Sequence, residues 1–264
     1  MNAAMNTAMP DVAPTWQLGP VTVHFGAAAG KYPDGNQVIV RGAEATFAFD
    51  MPQVAQRLPQ AVVDEIDAVV LGHVHEDHMA GLPRVPGVPV HVHAADAEAL
   101  RSWEGLSRHY GYAPEVLAAL RPKIEADFDY RPRPDARAYD DGAVWDLGGG
   151  VRVRAVHLPG HTAGHTALLV EPHGVAFIGD IELSGFGPYY GDATSSLADF
   201  RRSLARLPAL PAAAWITSHH KGVYTDRARF LDALAAFAAR IDEREAQLLG
   251  MLAGARWPTW HAKG

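Results

Sequence analysis

The stretch "VVLGHVHEDHMAGLP", residues 69–83, runs from an apolar segment straight into His73, His75, Asp77 and His78. The segment "DAVVLGH" reads as a buried strand. In an extended segment side chains alternate, so His73, His75 and Asp77 point to one side, and His78 follows as the chain turns. Such a segment can present two imidazoles to one divalent ion, and the carboxylate and third imidazole to another about 3.5–4 Å away. A carboxylate is a poor neighbour for an apolar strand end unless a cation compensates it. The competing reading is a cluster of solvated loop histidines.

The rest of the chain weighs against that competitor. "LPGHTAGHTALLV" places His161 after a strand and a Pro-Gly turn, "VAFIGD" ends a strand on Asp180, and "AAWITSHH" ends one on His219 and His220. Open α/β sheets collect their sites at such strand ends. The 264 residues contain no cysteine, so no thiolate can act as nucleophile or ligand, and any metal site must be built from His, Asp and Glu. Histidine, at 14 residues, is plentiful and ligates divalent metals as a neutral donor near pH 7.

Composition sets broader limits. A chain with 48% hydrophobic and 20% charged residues is an ordinary globular one, long enough for a sizeable core. A net charge of −7 argues against nucleic acid and against an anionic membrane as partner. No apolar run approaches the ~18 residues of a membrane helix. The first residues lack an export signal, so residues 1–19 are expected to be a flexible leader and the protein to be cytoplasmic.

The runs "VTVHF", "NQVIVRG", "EATFAFD" and "VPVHVH" predict strands. "GAVWDLGGGVRVRAVHLPG" and "TALLVEPHGVAFIGD" predict hairpins, the first turning at its three glycines. "MPQVAQRLPQAVVDEI" reads as helical with a break at Pro59, "EDHMAGLPRV" as the start of a helix, and "AADAEALRSW" and "SLADFRRSLARLP" as helices. Strands and helices alternate in two blocks, giving one α/β domain over residues 20–264. Residues 101–141, rich in Arg, Pro, Tyr and Asp, read as a partly helical insertion, and 226–253 as one or two C-terminal helices. Those helices pack on the domain or on a second copy, a homodimer.

The order HxHxDH, HTxGHT, a strand ending in Gly-Asp and a strand ending in Ser-His resembles the metallo-β-lactamase-fold hydrolases, over roughly residues 20–225. The resemblance implies a four-layer αβ/βα sandwich of mixed sheets with helices on the outer faces. It implies one ion held by His73, His75 and His161, a second held by Asp77, His78 and His219, and Asp180 bridging. His220 is the rival of His219. Asp50 matches an Asp that ends an early family strand, although Met51-Pro52 follows it instead of Thr-Gly; it would bond a ligand from behind. His165 would support the loop. The two ions, zinc first and Mn or Fe as rivals, would supply a bridging hydroxide, with Asp77 in the catalytic set.

An Asp at 180 resembles the glyoxalase II, lactonase, phosphodiesterase and ribonuclease branches, where dedicated zinc β-lactamases have a Cys or lack the ligand. The expected function is hydrolysis of a small ester, thioester or lactone. The alternatives are a phosphodiesterase or nuclease, an iron-dependent sulfur dioxygenase or other redox protein, and a binding protein without turnover. Phe186, Tyr189 and Tyr190, in "SGFGPYYGD" (184–192), and His109 and Tyr110 in the insertion are candidates for the substrate pocket. Glu76, the variable residue of HxHxDH, reads as a solvated face, with the mouth of the site as the alternative, and Lys31 as an exposed turn lysine, with an anion contact at the border of the site as the alternative.

Overall fold

A computed structural model describes residues 14–220 and 222–254. Its strands are β1 (Thr15–Leu18), β2 (Val21–His24), β3 (Gln37–Arg41), β4 (Thr46–Phe49), β5 (Ala68–Val70), β6 (Val90–His93), β7 (Arg137–Tyr139), β8 (Val144–Asp146), β9 (Arg152–His157), β10 (Thr166–Glu171), β11 (Val175–Phe177), β12 (Ala214–Ile216) and β13 (Val223–Tyr224). They form two mixed sheets, one ordered β1 to β7 and the other β13-β12-β11-β10-β9-β8. In the first, β1 to β4 pair antiparallel and β4 to β7 parallel. In the second, only β11 and β12 run parallel.

The central strands are continuous apolar runs because both of their faces are covered. Val38 and Val40 of β3 meet Leu168 and Val170 of β10 between the sheets. The alternate residue Ile39 turns outward, into a layer with Leu100, Leu106 and Ile124 of the helices. On the other side Leu169 and Trp215 pack on Phe200, Phe230 and Phe237. Helix, sheet, sheet and helix are therefore stacked in four layers, each sheet alternating its side chains between two cores. Phe49 and Phe177 end β4 and β11 with ring centroids 5.9 Å apart, closing the inner core. The loops that follow those two strands carry Asp50 and Asp180.

Several local expectations are revised. Thr15–Leu18, inside the stretch expected as a leader, pairs with β2 because Trp16 packs on the inner core; residues 1–13 lie outside the described residues. "EDHMAGLPRV" forms two short 3-10 turns, Glu76–His78 and Leu82–Arg84, rather than a helix. Its backbone is drawn to a neighbour: Met51 N–H donates to His78 O (2.9 Å) and Gly81 N–H to Met51 O (2.7 Å). The helix expected over "AADAEALRSW" breaks at Ser102, whose extended backbone lets its hydroxyl cap a new helix, Trp103–Tyr110, by accepting from Gly105 N. Residues 101–141 contain that helix and Pro114–Asp127, but their end is β7, a member of the first sheet. The last helix is continuous, Arg227–Gly254. Among the described residues no helix is long and apolar enough to cross a membrane.

One glycine sets the path into the second histidine loop. Gly160 has φ +139°, and a Cβ on it would fall 2.3 Å from Phe200 Cα. Gly160→Ala must push the helix Leu197–Arg206 away from that loop. A loss on the order of 3 kcal/mol or more is expected, read as a lower urea midpoint with an unchanged slope.

Candidate metal centre

Four loops at one edge of the sandwich converge. His73 to His78 follow β5, His161 lies between β9 and β10, Asp180 follows β11 and His219 follows β12. His73, His75, Asp77, His78, His161, Asp180 and His219 are all buried, none more than 8% exposed. Ligand-type atoms of His73, His75, His161 and Asp180 lie within 4.8 Å of one another, and so do those of Asp77, His78 and His219. In the first group His161 Nε2 is 3.2 Å from His73 Nε2 and 3.1 Å from His75 Nδ1. In the second, His219 Nε2 is 2.9 Å from Asp77 Oδ2.

Asp180 stands between the groups. Its Oδ2 is 3.4 Å from His161 Nε2 and 3.8 Å from His73 Nε2, while its Oδ1 is 3.1 Å from His78 Nε2 and 3.6 Å from His219 Nε2. One carboxylate thus offers one oxygen to each side. His78 Nε2, His219 Nε2 and Asp180 Oδ1 are buried and make no hydrogen bond. Three such atoms aimed at one point would be costly in a finished core, and a shared cation satisfies them all. The donor set fits two divalent ions.

The opposite nitrogens of His75, His78, His161 and His219 are held from behind, which fixes ring orientation and tautomer. His78 Nδ1 bonds Asp50 Oδ2 at 2.8 Å, and Asp50 Oδ1 accepts Gly72 N–H at 2.7 Å. Asp50, at φ +54°, therefore grips both ends of the HxHxDH segment. His161 Nδ1 faces Tyr189 O (3.0 Å) and His219 Nδ1 faces Gly30 O (2.9 Å). His165 belongs to neither group: it accepts Asp180 N–H at Nε2 (3.2 Å), and its Nδ1 faces Leu158 O. His220 lies outside both groups, with its Nε2 3.3 Å from Glu182 Oε2. Its backbone at φ +57° turns the chain after His219 so that consecutive side chains diverge.

Two carboxylates that the sequence did not single out complete the frame. Asp192 Oδ2 bonds His75 Nε2 at 2.7 Å, leaving Nδ1 turned toward the first group. Asp96 accepts from Val74 N, Thr162 Oγ1 and Gly164 N, joining the His73–His75 loop to the His161 loop. Asp96 carries no motif, whereas Asp192 ends the aromatic stretch "SGFGPYYGD", a weak signal of proximity. Asp192→Ala is expected to weaken binding at the first group by about 10- to 100-fold. A zinc competition titration against a chelating dye measures this.

Electrostatics follow from this packing. Burial and then His78 push His73 well below the usual imidazole range. Burial also opposes the charged form of His78, but Asp180, Asp77 and Asp50 outweigh it and hold its pKa well above the ordinary value. At His219 burial is again outweighed, chiefly by Asp180 and Asp77, and the pKa rises to about 10. Burial raises and the cationic rings lower the two carboxylates, and Asp77 and Asp180 end below the normal range.

A cavity of about 530 Å³ opens above the two groups. Of the candidate pocket residues, Phe186, Tyr189 and Tyr110 line it, joined by Tyr32, Tyr112, Lys31, Glu76, Glu182 and Asp192. Tyr190 does not; it packs in the outer helical layer beside Arg244. His109 does not either; it is buried behind His75, with ring centroids 5.5 Å apart. Glu76 is not a solvated face: it accepts from Tyr110 Oη at 2.5 Å and Tyr32 Oη at 3.2 Å.

Comparison with known proteins agrees with this geometry. The chain is 31% identical over 176 residues to a hydroxyacylglutathione hydrolase of Aeromonas hydrophila, an alignment covering 65% of this chain and 54% of the relative. It is 28% identical over 145 residues to an atrochrysone carboxyl ACP thioesterase of Aspergillus fumigatus, covering 55% and 35%. The chain therefore spans about half or less of those relatives' lengths. A metallo-beta-lactamase family protein from Thermus thermophilus shares the fold, with a TM-score of 0.67 at 23% identity over 90% of this chain and 84% of that one. Residues 60–219 match the family profile described as the metallo-beta-lactamase superfamily, which takes in every ligand-type residue of both groups, and the chain belongs to that superfamily.

Proposed function

We propose that this protein is a hydrolase of a small ester or thioester whose site takes two divalent ions, zinc first among them. The observation that carries the reading is the split carboxylate of Asp180 between two histidine groups. His73, His75 and His161 would hold one ion and Asp77, His78 and His219 the other. Bound there, the pair would supply Lewis acidity for an acyl carbonyl and a nucleophile from water at neutral pH. The chain's own contribution is orientation: Asp50, Asp192, Tyr189 O and Gly30 O fix four of the imidazoles.

The relatives support acyl transfer to water, since one is named for hydroxyacylglutathione and another is named a thioesterase. The pocket disfavours a phosphodiester. Among the described residues Lys31 is the single Lys or Arg that lines it, against Glu76, Glu182 and Asp192 beyond the proposed ligands. Metal analysis of purified protein, followed by turnover on thioesters, lactones and phosphodiesters, tests the reading. Two zincs per chain with thioester or ester hydrolysis is the expected result. One iron per chain with oxygen consumption would replace it by redox chemistry, and failure to take up any ion at micromolar zinc would overturn it.

A further inference from the structure

Five aromatic side chains from three separate segments face one cavity: Tyr32, Tyr110, Tyr112, Phe186 and Tyr189. Phe186, Tyr32 and Tyr189 remain 64%, 54% and 37% exposed around it. Large aromatics left open to water about a concave site mark a binding surface.

What those rings offer is decided by their hydroxyls. Tyr32 and Tyr110 both donate to Glu76. Tyr112 and Tyr189 both donate to Asp192, at 2.7 and 3.2 Å. All four phenols are thus committed to carboxylates of the protein, and a ligand meets ring faces rather than donors. The faces are also aligned. Tyr110 and Tyr112 stack at 5.4 Å and 11°, and the His75 ring is parallel to Tyr110 within 2°. Tyr110, 4% exposed, is held inside that stack, so the aromatic surface left to a ligand belongs to Tyr112, Tyr32, Phe186 and Tyr189, flat walls that suit a flat group. Arg244 covers one face of Phe186 at 4.9 Å and bonds Phe186 O and Pro188 O, so the loop carrying this wall is anchored to the C-terminal helix.

Charge separates this pocket from one built for an anionic carrier. Among the described residues that line the cavity, Glu76 and Asp192, with Glu182 raised by burial to about 7, stand against Lys31, so one cationic side chain is offered to a substrate with two carboxylates such as a glutathione thioester. Building on the hydrolase reading, we propose that the substrate is an uncharged ester or thioester whose acyl group carries a flat aromatic ring, seated on this tyrosine wall. In the thioester case a water oxygen bonds to the acyl carbon, the C–S bond breaks, and the thiol leaves with a proton from that water, releasing an aryl-bearing carboxylic acid.

The test compares matched substrates on the zinc-loaded protein: the 2-naphthylacetyl and (decalin-2-yl)acetyl thioesters of N-acetylcysteamine, and S-lactoylglutathione. The first pair share a carbon skeleton and a methylene that insulates the carbonyl, and they differ in whether the bicycle is a flat aromatic or a puckered saturated one. Wild type is expected to favour the naphthyl compound by about tenfold or more in kcat/KM. Tyr32→Leu and Phe186→Leu should each shrink that ratio, whereas Tyr32→Phe, which keeps the ring, should preserve it. Isothermal titration with 2-naphthylacetate and decalin-2-ylacetate reads the same wall without turnover. Equal kcat/KM for the pair, or S-lactoylglutathione as the best substrate, would overturn the proposal while leaving the hydrolase reading intact. Selective binding of the aryl acid with no turnover of any ester would do the reverse, and neither binding nor turnover would end both.

Discussion

Asp180→Asn lowers hydrolysis by about a thousandfold or more and leaves fewer than two bound ions per chain; this is the largest single-residue effect expected here. The reason lies in the two oxygens. Oδ2 serves the group of His73, His75 and His161, and Oδ1 serves the group of Asp77, His78 and His219. An amide keeps the shape but turns one of these atoms into an N–H donor with no lone pair to give, and it removes the negative charge that both groups share. Whichever way the amide lies, one group loses a ligand. Metal content by plasma emission and kcat/KM on the best thioester measure the outcome. Because Asp180 is buried and faces cationic rings, a melting curve must accompany them to show that the variant is folded. A folded variant that still binds two ions and retains a tenth of wild-type turnover would remove Asp180 from the bridging position.

The sheets were legible because their strands lie between two cores: "QVIVR" and "TALLVE" can stay apolar on consecutive residues only where both faces are covered. The positions of His73, His75, Asp77, His78, His161, Asp180 and His219 were legible for a related reason, each following an apolar strand whose end must break the surface. The turns after the first motif were not. "EDHMAGLPRV" has the composition of a helix start, but its peptide groups pair with Met51, 27 residues before His78 and distant in pattern. Local propensity has no term for such a partner. The pocket failed in the same way. Tyr189 and Tyr190 are neighbours in an irregular loop, where no period says which one turns inward; the structure sends one to the cavity and the other to the helical layer. On the helix Trp103–Tyr110 the last residue reaches the cavity and His109 falls behind His75. Asp96 and Asp192 act across 66 to 117 residues of chain, and a carboxylate outside a motif gives no sign of a partner that far away.

The second large effect concerns protons, and its sign differs between the two groups. In the metal-free protein, His78 and His219 have pKa values above the ordinary imidazole value, about 10 for His219, so both carry protons at pH 7. An ion entering the Asp77 side must displace both, and its apparent affinity should fall by about 100-fold for each unit of acidification. On the other side burial already keeps His73 neutral, while His75, raised by Asp192 against burial, must give up a proton. There the slope should be shallower. Acidification from pH 7.5 to 5.5 therefore strips the two ions in order, the Asp77 side first, with a fall in its affinity on the order of 10⁴. Chelator competition at three pH values gives the two slopes, and calorimetry in buffers of different ionisation enthalpy counts the protons released, two for the steep site. Equal slopes would contradict the assignment of Asp77, His78 and His219 to one ion. The same shifts act on folding with the opposite sense. A raised histidine pKa stabilises the metal-free fold fully below about pH 6.5, and that stability is lost as pH rises through the folded value, about 10 for His219. At pH 9 most of that proton-linked stability is already gone and an entering ion meets less proton competition than at pH 6, so zinc should raise the melting temperature more at pH 9 than at pH 6.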